Sequence, residues 1–272
     1  MVRKIIEGVV GGMLAVLMMC PAISKAEAVR IVATQKGFDA PRTISAGMRH
    51  IVFENHSDGI HEAMFVKLVD GMTVQGFNDQ LKNGILFPKG ALDYSGPGLT
   101  SPGQATELWL RLDPGDYVLI CWNHTRTSVQ PLTVRATGEK DELPPKEDVV
   151  LKLIDFKFVI EGRIKKGMQV IRIETPGPTI HEADLFLLHP GHTVTDVNRW
   201  YKEDDLEGAA PADALGGVLD SSNIKNVVWL RRSFTKGTYV LHCAEPMNMN
   251  AKSGEHGPIH ADVGMVATFQ VE

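Results

Sequence analysis

Four residues in the C-terminal part of the chain carry side chains that bind transition metals: His181, Cys243, His260 and Met265. His181 begins a predicted strand, Cys243 ends another, and His260 and Met265 lie in and after the loop that follows. Two imidazoles, a thiolate and a weak thioether are the ligand set of a blue-copper electron-transfer site. Sulfur favours Cu(I) and imidazole suits Cu(II), so this mixed set lets an ion change oxidation state with little rearrangement. The ordered set, rather than any single residue, predicts a copper site.

The strand-start histidine and the strand-end cysteine both occur a second time, earlier in the chain. GIHEAMFVKLVDGMTV, which contains His61, matches TIHEADLFLLHPGHTV, which contains His181, at an offset of 120 residues. PGDYVLIC ends at Cys121 and KGTYVLHC ends at Cys243, at an offset of 122 residues. Such self-similarity is the signature of a repeated structural unit, so the sequence predicts two copies of one domain.

The segment GEKDELPPKED separates the two copies. It is charged, contains two prolines and lacks helical or strand periodicity, which is typical of a linker. We therefore predict a first domain at residues 29–137, a linker at 138–148 and a second domain at 149–272.

Alternation of apolar and polar residues, as in RHIVFEN and QVIRIET, predicts short strands with glycine and proline turns between them. The fold class expected is all-β, with two tandem Greek-key β-sandwich domains. One helix is predicted at Asp196–Leu206, where Val197, Trp200 and Tyr201 share a face.

The N-terminal segment, residues 1–28, has the layout of a secretory signal peptide: basic Arg3 and Lys4, an apolar run, then small residues at Ala26 and Ala28. We expect a periplasmic or secreted protein with no membrane span once this segment is removed.

The formal net charge of −5 is spread along the chain without a basic patch, so nucleic acid is not an expected partner.

Two cysteines, Cys121 and Cys243, follow the predicted signal segment. A disulfide between them would have to bridge the same position of two separate domains. Repetition of a cysteine at equivalent positions is better explained by a repeated local role, so we do not predict a disulfide.

The first domain contains a related set of metal-binding residues, namely His61, Cys121 and His124, and Val129 takes the place of the methionine. Two interpretations stay open. A trigonal site with an apolar axial neighbour would bind copper at a raised reduction potential, because weaker axial donation stabilises Cu(II) less. Alternatively the site has degenerated and the first domain is a structural partner. The copper count is accordingly one per chain, or two.

The order His, Cys, His-x4-Met is similar to that of the cupredoxins, and both predicted domains resemble the cupredoxin fold over nearly their whole length. GTYVLHCAEP and HADVGM most resemble the copper-binding segment of two-domain copper nitrite reductases. The resemblance implies an electron-transfer function, a redox partner protein and type 1 copper ligands, which would be His181, Cys243, His260 and Met265. The identity of the partner stays open, as does homo-oligomer formation.

The loop between the cysteine and the second histidine is longer than in the family, because 16 residues separate Cys243 from His260. His256 lies inside this loop and is the alternative ligand. We favour His260, since its spacing to Met265 is the one that the family uses.

An enzyme is the first alternative function. In the nitrite reductases the histidine before the cysteine, here His242, helps to hold a type 2 copper between subunits, together with an Asp and a His. Asp184 matches that Asp, but Phe186 replaces the His, and the chain has no His-x-His pair of the kind that multicopper oxidases need. Strand alternation directs His242 away from Cys243, so we expect it at the surface or at an interface. The sequence favours an electron carrier over a copper oxidase or a nitrite-reductase-like enzyme.

Copper storage or delivery is the second alternative function. The loop at residues 244–259 contains Met247, Met249 and His256, and thioethers select Cu(I). This function predicts Cu(I) binding that survives replacement of Cys243 by serine. Flexible methionines that fill a polar loop are the simpler structural explanation.

Overall fold

The computed structural model describes the chain at residues 28–122, 129–202, 206, 208–219, 227–248 and 257–272. The candidate ligands His124 and His256 lie outside these ranges, as do Met249 and all but the last residue of the predicted signal segment. In the ranges described, no helix has both the length and the apolar character needed to cross a membrane.

The described chain consists mainly of strands, which confirms the predicted all-β class. The first half, residues 28–137, contains β1 (Val29–Thr34), β2 (Gly37–Asp39), β3 (Thr43–Ser45), β4 (Gly47–Asn55), β5 (Met64–Leu68), α1 (Val74–Lys82), β6 (Ala91–Asp93), β7 (Ala105–Leu112), β8 (Gly115–Ile120) and β9 (Gln130–Arg135). The second half, residues 149–272, contains β10 (Val149–Ile154), β11 (Lys157–Glu161), β12 (Gly167–Glu174), β13 (Ala183–Leu188), α2 (Val194–Lys202), β14 (Ala212–Val218), β15 (Val228–Phe234), β16 (Gly237–His242), a 3-10 helix (His260–Val263) and β17 (Val266–Val271).

One eight-stranded sheet runs through both halves in the order β11-β10-β12-β15-β7-β4-β1-β2. The halves meet where β15 pairs antiparallel with β7. At this seam Glu107 of β7 forms an ion pair with Arg231 of β15 and lies within hydrogen-bond distance of the His50 ring of β4, which stacks on Trp109 at 4.2 Å. Two sandwiches that the sequence analysis treats as separate are therefore joined edge to edge.

Each half also has a smaller sheet, β3-β9-β8-β5-β6 in the first half and β14-β13-β16-β17 in the second. Successive side chains of a strand point to opposite faces of its sheet. Alternate residues such as Ile51 and Phe53 of β4, and Tyr239 and Leu241 of β16, are accordingly buried in the apolar core. Sheets packed over such a core form the predicted β-sandwich architecture.

The predicted helix in the second half is present, with different bounds. α2 begins at Val194 and ends at Lys202. Its buried residues are Val197 and Trp200, two of the three that the sequence places on its inner face. The amphipathic spacing therefore identifies the helix but not its ends.

The helix α1 is not predicted by the sequence analysis. Its N-cap is Thr73, whose hydroxyl oxygen accepts a hydrogen bond from the N–H of Gly76 at 3.0 Å. Phe77 is its buried residue. A threonine cap of this kind is a recognisable start signal, but a nine-residue helix with one buried residue has little periodicity to support it.

The stretch between the halves, residues 136–147, contains no helix or strand. Arg49, which is only 2% exposed, anchors it to the first half. The Arg49 guanidinium donates to the carbonyl oxygen of Lys140 at 3.0 Å and forms an ion pair with Glu142 at 3.7 Å. The predicted linker thus packs on the first half, while the domain boundaries themselves stay a prediction.

Candidate metal centre

Strand pairing brings three of the predicted ligands to one edge of the second half. His181 lies two residues before β13, and Cys243 follows β16 directly. These strands are antiparallel, with Asp184 opposite His242, so the start of β13 lies beside the end of β16. β17 begins directly after Met265 and pairs with the other side of β16.

Main-chain hydrogen bonds hold the loop after Cys243 in place. The N–H of Cys243 donates to the carbonyl oxygen of Met265 at 3.3 Å, and the N–H of Met265 donates to the carbonyl oxygen of His260 at 2.9 Å. The N–H of Ala261 donates to the carbonyl oxygen of Cys243 at 2.9 Å. The backbones of the three candidate ligands are therefore tied to one another directly.

The long loop is closed near its base. The N–H of Met247 donates to the carbonyl oxygen of Pro258 at 2.9 Å, and the N–H of His260 donates to that of Glu245 at 2.8 Å. These two bonds bring the chain back to its starting point before the histidine. The 16 residues between Cys243 and His260 are therefore compatible with direct contact between the two side chains.

The ligand atoms converge. The Nδ1 atoms of His181 and His260 lie 3.1 Å apart, and the Sγ atom of Cys243 lies 3.4 Å from Nδ1 of His260. Donor atoms of all three residues lie within 4.8 Å of one another, and the side chains are buried. A first-row metal ion bound at about 2.0 to 2.3 Å places trigonal N and S donors roughly 3.5 to 3.7 Å apart. Both distances are within a few tenths of an ångström of that spacing, and this donor set suits copper.

Burial sets the protonation of these groups. It lowers the pKa of His260 to about 4, with a further decrease from the neighbouring His181, whose own pKa is lowered by burial. Burial also raises the pKa of the Cys243 thiol well above its usual value, and Glu182 and Glu245 add to the increase. Neutral imidazoles are ready to donate their lone pairs, whereas the thiol must release its proton when a metal binds.

Met265 is fully buried in the same apolar core as Cys243. Before it, Gly264 ends the 3-10 helix with a φ of 108°, in the left-handed region that favours glycine. The glycine turns the chain from His260 to Met265, which gives the His-x4-Met spacing a structural cause. Metal binding by the Met265 thioether stays a prediction.

Glu182 contacts the cysteine region through both its main chain and its side chain. Its N–H donates to Sγ of Cys243 at 3.5 Å, and its Oε1 accepts a hydrogen bond from the N–H of Ala244 at 2.8 Å. Glu62 repeats the second contact in the first half, where its Oε1 accepts from the N–H of Trp122 at 2.9 Å. These glutamates are not among the predicted site residues. The recurrence of His-Glu-Ala at residues 61–63 and 181–183 is the sequence signal that points to a shared role for them.

Two further residues at the centre, Asp155 and Phe156, come from the turn between β10 and β11. Asp155 lies beside His181, and the Phe156 ring lies beside His181 and His260. Hydrogen bonds from Thr179 and, less strongly, from His181 lower the pKa of Asp155. Nothing in the local sequence of this turn points to a distant histidine, so its contact with the centre is not predicted from the sequence.

The structure corrects the prediction that His242 lies at the surface or at an interface. His242 is 0% exposed, because Tyr201 of α2 lies over it with ring centroids 5.3 Å apart and Phe186 lies at 6.1 Å. Burial lowers the pKa of His242 to about 4.

Asp184, opposite His242 on β13, accepts a hydrogen bond from the N–H of Leu99 in the first half at 3.0 Å. Asp184 thus connects the two halves.

Of the candidate ligands in the first half, the structure describes His61 and Cys121, both buried. Cys121 and Cys243 are separate buried thiols, as expected, rather than a disulfide. The third candidate, His124, lies outside the described residues, and Val129 packs beside the core of the smaller sheet. A copper site in this half stays a prediction.

No protein-family model matches the sequence, and no curated protein matches it. Among solved structures, the chain is similar to a dithionite-reduced auracyanin from Roseiflexus castenholzii, with 15% identity over 40% of this chain and 98% of that one and a TM-score of 0.30. Auracyanin A from Chloroflexus aurantiacus, described as a blue copper protein, has 22% identity over 40% of this chain and 100% of that one, with a TM-score of 0.28. A multicopper oxidase has 14% identity over 89% of this chain and 88% of that one, with a TM-score of 0.26. The chemistry of the site rests on its own contacts.

Proposed function

We propose that this chain is an electron-transfer protein that binds copper through His181, Cys243 and His260, with Met265 as the weak axial ligand. The observation that carries the proposal is the convergence of two imidazole nitrogens and one thiol sulfur in a buried cluster. Bound copper would supply one-electron chemistry by cycling between Cu(II) and Cu(I).

The chain contributes a fixed and dry set of donors. His181 and Cys243 are 0% exposed and His260 is 3% exposed, so water is excluded from the cluster. The N–H of Glu182 donates toward the cysteine sulfur, which favours the thiolate once its proton has left. The main-chain bonds among Cys243, His260 and Met265 keep the donors in place in either oxidation state.

For the location we propose the periplasm or the extracellular space, supported by the signal-like sequence at residues 1–28. A redox partner protein follows from an electron-carrier function. A second copper in the first half, at His61, Cys121 and His124, is a further part of the proposal. Its support is the burial of His61 and Cys121 and the Glu62 contact that repeats that of Glu182.

The test is copper stoichiometry together with visible absorption of the full chain. We expect intense visible absorption from the wild type and its loss, for the second-half site, in Cys243→Ser. The matched control is Cys121→Ser, which keeps the second-half absorption and lowers the stoichiometry by one only if the first half binds copper as well. A copper-loaded wild type without colour would contradict the proposal. Cu(I) binding that survives Cys243→Ser would instead favour storage or delivery.

A further inference from the structure

The turn between β10 and β11 reaches over the candidate metal centre. The carboxylate oxygen Oδ1 of Asp155 lies 3.4 Å from Nε2 of His181. The ring of Phe156 meets His260 with centroids 5.0 Å apart and His181 at 6.0 Å, with interplanar angles of 88° and 82°. Asp155 therefore contacts the outer nitrogen of His181, and the neighbouring Phe156 contacts the rings of both candidate imidazole ligands.

Phe156 holds an unusual backbone conformation. Its φ of 60° is in the left-handed region, which residues with a Cβ atom rarely adopt and which glycine or asparagine usually fills in a turn. A large aromatic residue kept there is an outlier that calls for a local reason. The contact of its ring with the two histidines supplies one.

The first half provides an internal comparison. Its corresponding turn, between β1 and β2, also has two residues, Gln35 and Lys36, and both are exposed. Neither is a carboxylate or an aromatic residue. A two-residue turn at this place in the fold therefore does not need an acidic or an aromatic residue. The carboxylate of Asp155 and the ring of Phe156 occur only in the second of these two turns, in the half where the three donors converge.

The Asp155 carboxylate has a second partner besides His181. Thr179 donates hydrogen bonds to Asp155 from its side chain and its backbone. Gly177 leaves room for it, since a Cβ atom at that position would lie 2.9 Å from Oδ1 of Asp155. Asp155 can therefore hold a fixed position although its side chain is 44% exposed.

The two nitrogens of His181 have different neighbours. Its Nδ1 faces His260 inside the cluster, and its Nε2 faces Asp155. An ionised carboxylate only accepts hydrogen bonds, so it selects the tautomer with the proton on Nε2. That tautomer leaves the Nδ1 lone pair directed at the cluster, which is how carboxylates commonly orient metal-binding histidines.

We propose that the Asp155–Phe156 turn is a positioning device for the metal centre: Asp155 sets the tautomer and orientation of His181, and Phe156 shields both imidazoles from water. This inference rests on the proposed copper site and names residues that act on it through the histidines. Neither residue is itself proposed as a ligand.

The first experiment needs no metal. In the copper-free full chain, 15N NMR of the imidazoles should show His181 with its proton on Nε2, and Asp155→Asn should shift the population toward the Nδ1–H tautomer. The charge control is Asp116→Asn, which removes an exposed carboxylate from the first half and should leave His181 unchanged. An unchanged tautomer in Asp155→Asn would overturn the role of Asp155.

The second experiment measures Cu(II) affinity by chelator competition and the reduction potential by voltammetry. We expect Asp155→Asn to weaken Cu(II) binding by about 10- to 100-fold, the usual effect of removing such a partner. Each tenfold loss for Cu(II) alone raises the potential by about 59 mV.

Replacement of Phe156 should have the opposite sign. Phe156→Gly relaxes the turn and admits water, which favours the more highly charged oxidised site, so the potential should fall. Phe156→Leu keeps an apolar cover and should change the potential less. Potentials in Phe156→Gly and Phe156→Leu equal to that of the wild type would overturn the shielding role.

The failures of the two proposals are distinguishable. A wild type that binds no copper at Cys243 contradicts the proposed function. A wild type that binds copper there, together with unchanged affinity and potential in Asp155→Asn, contradicts the positioning role alone.

Discussion

Replacement of Met265 by leucine separates the thioether from the volume that it fills. Met265 is fully buried, and its main chain is bonded to Cys243 and His260, so the exchange leaves the backbone contacts in place. A volume-conserving exchange in a core costs less than about 1.5 kcal/mol of unfolding free energy. Truncation to alanine leaves a cavity and should cost about 2 to 5 kcal/mol.

The same exchange should raise the reduction potential, because loss of the axial donor destabilises Cu(II) more than it destabilises Cu(I). A tenfold decrease in Cu(II) affinity at constant Cu(I) affinity corresponds to a rise of about 59 mV. Urea unfolding of the copper-free protein gives the stability change, and voltammetry of the loaded protein gives the potential.

The matched control is Met64→Leu, at a methionine that is 2% exposed in a core cluster of the first half. It should resemble Met265→Leu in stability and the wild type in potential. Equal potentials in the wild type, Met64→Leu and Met265→Leu would refute the axial role of Met265.

Three further changes test how the fold supports the centre. Gly264→Ala forces a residue with a Cβ atom to a φ of 108°, so we expect a loss of about 1 to 3 kcal/mol, and an unchanged urea midpoint would contradict this. Arg49→Met removes a buried guanidinium that donates to three carbonyl oxygens and should lower the unfolding free energy by about 3 kcal/mol or more in the same assay. Asp141→Asn tests linkage to pH, because the N–H of Met48 and then the Arg111 side chain lower the pKa of Asp141 below its usual 3.8. The ionised carboxylate stabilises the fold above about pH 4 and loses this effect as the pH falls through the lowered pKa, so melting curves of the variant and the wild type should differ at pH 7 and converge in acid.

The sequence predicts the convergence of His181, Cys243 and His260 because residue type and order at strand ends already imply a shared edge. It also predicts the strands, since the alternation of apolar and polar residues reports directly on which face of a strand is apolar.

The Asp155–Phe156 turn escapes prediction for a physical reason. Its partners are distant in the chain, and its own two residues carry no period or motif. The burial of His242 escapes for a related reason: alternation gives the face of β16 on which it lies, but only tertiary packing puts Tyr201 and Phe186 over that face. The pairing of β7 with β15 likewise escapes prediction, because it depends on how the sheet edges of the two halves meet in space.

The central claim is that one copper ion binds between the two histidines and the cysteine of the second half. X-ray absorption at the copper edge, on the full chain and on Cys243→Ser, tests it most directly, with Cys121→Ser to remove any contribution from the first half. The account predicts a copper shell of one sulfur at short distance and two imidazole nitrogens in Cys121→Ser, and loss of that sulfur when Cys243→Ser is added. A copper shell without a short sulfur distance in Cys121→Ser would contradict it.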